Sequence, residues 1–240
     1  MSKYNFYSTP AEKLDWQKIY KLSTDSDYET RLELTEFLAG VHNEHSELVL
    51  LTLACDEDRL VRASACDSLY FSSSADIFMF LLNKTKTDSD FLVRGYAAMS
   101  AGDILSKLDI DSISKNEFIS QMKKVFLREK SRWTKTSIAY ALCVNGQSEY
   151  LNYIAEASAD KKAQYRMQAL NTLIDLTENY NIRIPPDVID ILTANKDKET
   201  NAVVLEEFET VLNIKKNSLE KEYVDFLQRE KNLYENGQKR

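Results

Sequence analysis

The chain has 240 residues, a formal net charge of −7, 5 Gly and 3 Pro, so the two strongest chain breakers together make up about 3% of it where about 12% is usual. That scarcity excludes a β-sandwich or barrel, whose short strands need frequent turns, and favours long helices with short connections. The glycines, Gly40, Gly95, Gly102, Gly146 and Gly237, cannot compose a Gly-rich dinucleotide or phosphate loop.

Taken in chain order, the first 20 residues hold Lys3, Pro10, Glu12, Lys13 and Asp15 with no apolar leader core. The longest apolar stretches, Leu48 to Cys55 and Ile77 to Leu82, are far too short to span a bilayer. A cytoplasmic protein without membrane attachment is expected. Apolar periodicity predicts helices over 11–22 and 27–39, then helix pairs over 44–71, 74–106, 116–144, 147–180 and 186–214. The stretch Leu108 to Asn116 reads as a longer loop, and Pro186 suits the first turn of its helix. A last helix over 217–235 opens on Asn217 and Glu220 and aligns Leu219, Tyr223, Phe226, Leu227 and Leu233 as a terminal cap.

The pairs repeat. Asp25 to Arg31, Asp56 to Arg62, Asp88 to Arg94, Glu129 to Lys135 and Asp160 to Arg166 each begin with an acid and end six positions later with a base. A degenerate sixth copy ends at Asn201. Three positions after the final residue of each copy stand Leu34, Ala65, Ala97, Ile138, Ala169 and Val204, and seven after stand Leu38, Leu69, Ala101, Leu142, Leu173 and Phe208. All are apolar at helical spacing, so the second helix of every pair carries a core stripe. The carboxylates of Asp27, Asp58 and Asp90 sit where they can cap these helices at their positive ends.

The pattern in Asp56, Asp58, Val61, Arg62, Ala65 and Leu69 resembles the HEAT-like repeat, with 88–101 as the other close copy. The resemblance spans residues 11 to 214 and implies an all-α fold: an α-solenoid of about six helix pairs with a C-terminal capping helix, forming one domain over 1–240. It also implies that Arg31, Arg62, Arg94, Lys135 and Arg166 are structural, bonding to acids of adjacent repeats. Among HEAT-like families, deoxyhypusine hydroxylases bind iron through His-Glu dipeptides, which this chain lacks. Phycobilin lyases share the repeat, but nothing marks a bilin site beyond aromatics in a groove. Alkylpurine DNA glycosylases supply the alternative reading, a nucleic-acid-binding or DNA-repair solenoid, with Trp133 beside Arg132 and Lys135, and Tyr140 further along the same helix, as its candidate contacts.

Charge is unevenly spread. Residues 25 to 60 hold ten acids against Arg31 and Arg59, a net of −8, whereas 115 to 135 hold seven bases against Glu117 and Glu129, a net of +5. Helical phase places the side chains two before and two, five and nine after each base away from the core stripe, on what would be a concave groove. The candidate partner-binding residues are Glu29, Glu33, Glu36, Asp67, Tyr96, Met99, Trp133 and Tyr140: acids at one end and aromatics in the middle, which suit a basic protein partner.

No catalytic constellation appears. His42 and His45 are the only histidines and share one short segment, and Cys55, Cys66 and Cys143 lack metal-ligand spacing and read as reduced core residues. The expectation is therefore a chain that is not an enzyme and holds neither metal nor cofactor. It would be a protein-binding scaffold, in particular an immunity or inhibitor protein covering the basic substrate surface of a toxin. An acidic pI near 5.1 argues against nucleic acid as partner. The partner's identity and the oligomeric state stay open.

Overall fold

The computed structural model describes residues 13–214, and every regular element among them is helical. The helices are α1 (Trp16–Leu22), α2 (Tyr28–Leu38), α3 (Glu44–Leu53), α4 (Arg59–Ser68), α5 (Ala75–Thr87), α6 (Phe91–Lys107), α7 (Ser112–Arg128), α8 (Arg132–Val144), α9 (Leu151–Ala157), α10 (Ala163–Glu178) and α11 (Pro186–Lys196). A twelfth, α12, covers 202–214. They fall into two compact units that divide between Tyr150 and Leu151, and the fold class read from the repeat, an all-α array of helix pairs, is present in both.

Local chemistry explains why the helices start where they do. Asp27 accepts from the Glu29 N–H at 3.1 Å, Asp58 from Leu60 at 2.7 Å and Asp90 from Leu92 at 2.8 Å. Each satisfies an amide that the first helical turn leaves without a partner. Helix α3 opens with a reciprocal capping box between Asn43 and Ser46. Pro186 occupies the first turn of α11.

In the first unit the second helices of successive pairs pack in series, α2 on α4, α4 on α6 and α6 on α8, while α3, α5 and α7 cover their own partners. All twelve stripe residues, from Leu34 and Leu38 to Val204 and Phe208, are buried to 1% exposure or less. In the second unit α9 packs on α10 and α11, and α12 buries Val204, Phe208 and Val211.

The acid-to-base repeat builds a ladder. Arg31 donates through Nε and Nη2 to Asp56 at 2.6 and 2.8 Å, Arg62 to Asp88 at 3.1 and 3.2 Å, and Arg94 to Glu129 at 2.9 and 3.1 Å. Within the second unit Arg166 grips Glu199 in the same way. The remaining nitrogen, Nη1, donates to the carbonyl six residues earlier, of Asp25, Asp56, Asp88 or Asp160. Each guanidinium thus ties its own turn to the next repeat, a use of the planar fork that lysine cannot match. At the fourth base position, Lys135 places Nζ 4.8 Å over the Phe126 ring.

Three expectations need correction. The segment 108–116 is not a long loop: Asp111 caps α7, which starts at Ser112, and the extra residues lengthen α6 and α7 to 17 residues each. Among the described residues the first α-helix begins at Trp16. Cys66 and Cys143 are buried, but Cys55 is exposed, because α3 has ended at its cap, Ala54, and the stripe no longer governs the next residue. The capping helix expected over 217–235 lies outside the described residues.

Candidate functional site

The outward face of α2, α4, α6 and α8 carries all but one of the residues singled out from the sequence. On α2, Glu29 and Glu36 are exposed and Glu33 is half-buried; four and three residues apart, they share one helix face. Asp67 on α4 is exposed, and Tyr96 and Met99 on α6 and Trp133 on α8 are half-buried. Tyr96 and Trp133 meet in a T-shaped contact with ring centroids 6.3 Å apart, a favoured aromatic geometry. Burial pushes the Tyr96 hydroxyl pKa up, and the nearby Asp67 charge adds to the rise. Asp67, Tyr96 and Trp133 therefore form one strip across three successive helices.

Tyr140 does not belong to that surface. It is 2% exposed, and its hydroxyl donates to Asp103 Oδ1 at 2.9 Å. The cause lies in two glycines, Gly95 and Gly102, seven residues apart on α6. A Cβ on Gly95 would lie 2.9 Å from the Trp133 ring, and one on Gly102 would lie 2.5 Å from Ala141. Without those side chains α8 settles closely against α6, and Ser137 and Tyr140, which helical phase points outward, are covered. Asn145 fastens the same contact from the end of α8, its Nδ2 donating to the carbonyls of Gly102 and Ala141, each at 2.9 Å.

The buried Asp103–Tyr140 pair escaped the sequence reading, although the two glycines at heptad spacing were its available signal. It also separates Tyr140 from Trp133 and Lys135, so the side chains offered for nucleic acid do not all share a surface. Trp133 rests on Gly95 and Tyr96, Lys135 covers Phe126, and Tyr140 is in the core.

The histidines belong to aromatic clusters. His45 stacks on Trp16 at 4.9 Å and shares a 3.0 Å hydrogen bond with the Tyr20 hydroxyl. His42 stacks on Phe71 at 4.3 Å. Among the described residues no three His, Cys, Asp or Glu side chains converge to hold a metal ion. Burial pushes the thiols of Cys66 and Cys143 up to about 12, which leaves them protonated and poorly nucleophilic at neutral pH. Among the described residues no helix is long and apolar enough to cross a membrane.

No family model matches the chain, and no curated protein matches its sequence. Among solved structures it is similar to the complex of CpcE and CpcF of phycocyanin lyase from Nostoc sp. PCC7120, at 15% identity and a TM-score of 0.41, over 89% of this chain and 98% of that one. The expectation of a chain without enzymatic activity is corrected here, because the structure it resembles is that of a lyase. A likeness of this size assigns no activity in its place.

Proposed function

We propose that the chain is a helical protein-binding scaffold that grips a basic protein along the outward face of α2, α4, α6 and α8. The observation that carries this reading is the composition of that face: exposed Glu29, Glu36 and Asp67 beside the half-buried aromatic pair Tyr96 and Trp133. Carboxylates steer and orient a basic partner, and desolvated aromatics anchor it. Glu33 and Met99, on the same helices, complete the contact set. The role most compatible with an acidic surface of this kind is that of an immunity or inhibitor protein, working in the cytoplasm, that covers the basic substrate-binding surface of a toxin enzyme. The whole chain acts as one binding domain in this reading.

The test is capture from lysate of the source cell with wild-type protein and with the Glu29→Lys, Glu33→Lys, Glu36→Lys triple variant, after nuclease treatment and at low and high salt. The wild type is expected to retain a stoichiometric basic protein that high salt releases. The variant is expected to lose that protein while keeping its helical melt, since the three carboxylates make no rung of the ladder. Retention of the same partner by the variant would remove this face from the binding surface.

A further inference from the structure

On α5 and α7, helices that the proposed binding face does not use, lies a cleft of about 420 Å³. Its rim carries three cationic side chains, Lys86 from α5 and Lys124 and Arg128 from α7. All three are exposed. Lys124 and Arg128 stand one helical turn apart and therefore point the same way. Among the described residues no carboxylate lies within salt-bridge distance of any of the three, whereas Arg31, Arg59, Arg62, Lys84, Arg94 and Lys123 of this unit are so paired.

The one acid on the cleft wall, Glu129, is already satisfied. Arg94 holds both its oxygens, and the N–H groups of Lys130 and Ser131 donate to Oε1 at 2.8 and 2.7 Å. Its charge is thus offset by Arg94 and does not cancel the rim. Lys86 Nζ donates to Gln121 Oε1 at 2.9 Å, which holds Lys86 beside α7 at the cleft lining. Val125 lies between the two α7 cations on the lining and supplies an apolar floor.

We propose that this cleft binds a small organic phosphate carrying two or more negative charges, of the nucleoside diphosphate class. Three unpaired cations around a volume that holds one small molecule favour a ligand whose charge is concentrated. A phosphate ester carries close to two charges at neutral pH. The Arg128 fork matches two phosphate oxygens at once, the lysines act as point charges, and Val125 receives the organic part. The site is independent of the acidic face and stands or falls separately from it.

The experiment is calorimetric titration of the full chain with adenosine diphosphate and with inorganic pyrophosphate at low salt. The variants are Lys124→Glu/Arg128→Glu and a control with the same charge change elsewhere, Lys107→Glu/Lys161→Glu. Wild type and control are expected to bind alike, and the cleft variant to lose about tenfold or more in affinity. The neutral pair Lys124→Gln/Arg128→Gln carries the test if the charge reversal does not fold, and is expected to lose affinity in the same direction. Tighter binding of adenosine diphosphate than of pyrophosphate would show that the apolar floor is used. Absence of binding by the wild type to either probe would overturn the proposal. So would an equal loss in the control, since attraction would then come from net charge alone.

Discussion

Gly102 of α6 faces Ala141 of α8 so closely that a Cβ built on the glycine would lie 2.5 Å from both the Cα and the Cβ of Ala141. Ala141 meets it with backbone as well as side chain, so no rotamer change can make room. Gly102→Ala gains about 1 kcal/mol of intrinsic helix propensity but forces two packed helices apart. Overpacking of this kind costs about 1–3 kcal/mol and sometimes more. A net loss of up to about 2 kcal/mol is expected, read as a fall in urea midpoint. Gly40→Ala is the contrast, because its Cβ would meet nothing nearer than the Phe37 carbonyl at 3.7 Å. A midpoint unchanged in Gly102→Ala would mean that the α6–α8 contact is softer than the geometry states.

The same close contact buries Asp103 with Tyr140. Tyr140→Phe removes the hydroxyl that donates to Asp103 Oδ1 and keeps the ring's packing. Loss of a hydrogen bond to a buried carboxylate costs about 1–3 kcal/mol. The expected variant is destabilised by that amount with unchanged partner capture, because the side chain lies inside the protein. Loss of capture with unchanged stability would return Tyr140 to the binding surface.

The spacing of acids, bases and apolar residues contains most of the fold, because each repeat solves the same problem with the same side chains. The stripe positions are selected by burial, and the arginines by a geometry that only a guanidinium fits, so both signals survive sequence divergence between copies. Loop 108–116 misled because apolar periodicity weakens in Ser112 to Lys115, while the decisive signal there was Asp111 as a cap. The outward face was legible only where neighbouring helices keep their usual spacing. On α2, α4 and α6 the residues Glu29, Glu36, Asp67 and Tyr96 fall where helical phase puts them. On α8 the glycines of another helix decide what is covered, and a pattern read along one helix does not contain its neighbour's missing side chains. The basic run over 115–135 was visible, but which of its members are neutralised depends on contacts between helices.

Arg94 is expected to contribute most through offsetting the charge of a largely buried acid. In the pair with Glu129 the two side chains are 18% and 7% exposed, and Arg94 also donates to the carbonyls of Asp88 and Ser89. Arg94→Leu leaves Glu129 covered and without its counter-ion. Breaking such a pair costs about 3–5 kcal/mol when it is fully buried, and about 2–3 kcal/mol is expected here because solvent still reaches the guanidinium. Arg94→Lys is expected to recover part of that loss, since an ammonium supplies charge without the fork. A melting temperature equal to wild type in Arg94→Leu would show that the rung positions the repeats without stabilising them.

The ladder also fixes how stability depends on pH. Burial alone would push the carboxyls of Asp56, Asp88, Glu129 and Glu199 up. Hydrogen bonds from Arg31, Arg62, Arg94 and Arg166, with those of nearby backbone N–H groups, hold all four below their ordinary values. A carboxyl whose folded pKa is lowered binds its proton less readily in the native state than in the unfolded chain. Its contribution is therefore complete above the unfolded pKa of about 4 and is lost as pH falls through the folded value. The melting temperature is expected to be level from neutral pH to about pH 5 and to fall steeply below about pH 4. In Arg94→Leu the Glu129 share of that slope is expected to disappear, because without its guanidinium the buried carboxyl rises toward or above its ordinary pKa and takes up a proton on folding. Thermal melts of both proteins across this range measure the difference in slope. Parallel curves would mean that Glu129 is held in its charged state by the backbone N–H groups of Lys130 and Ser131 alone.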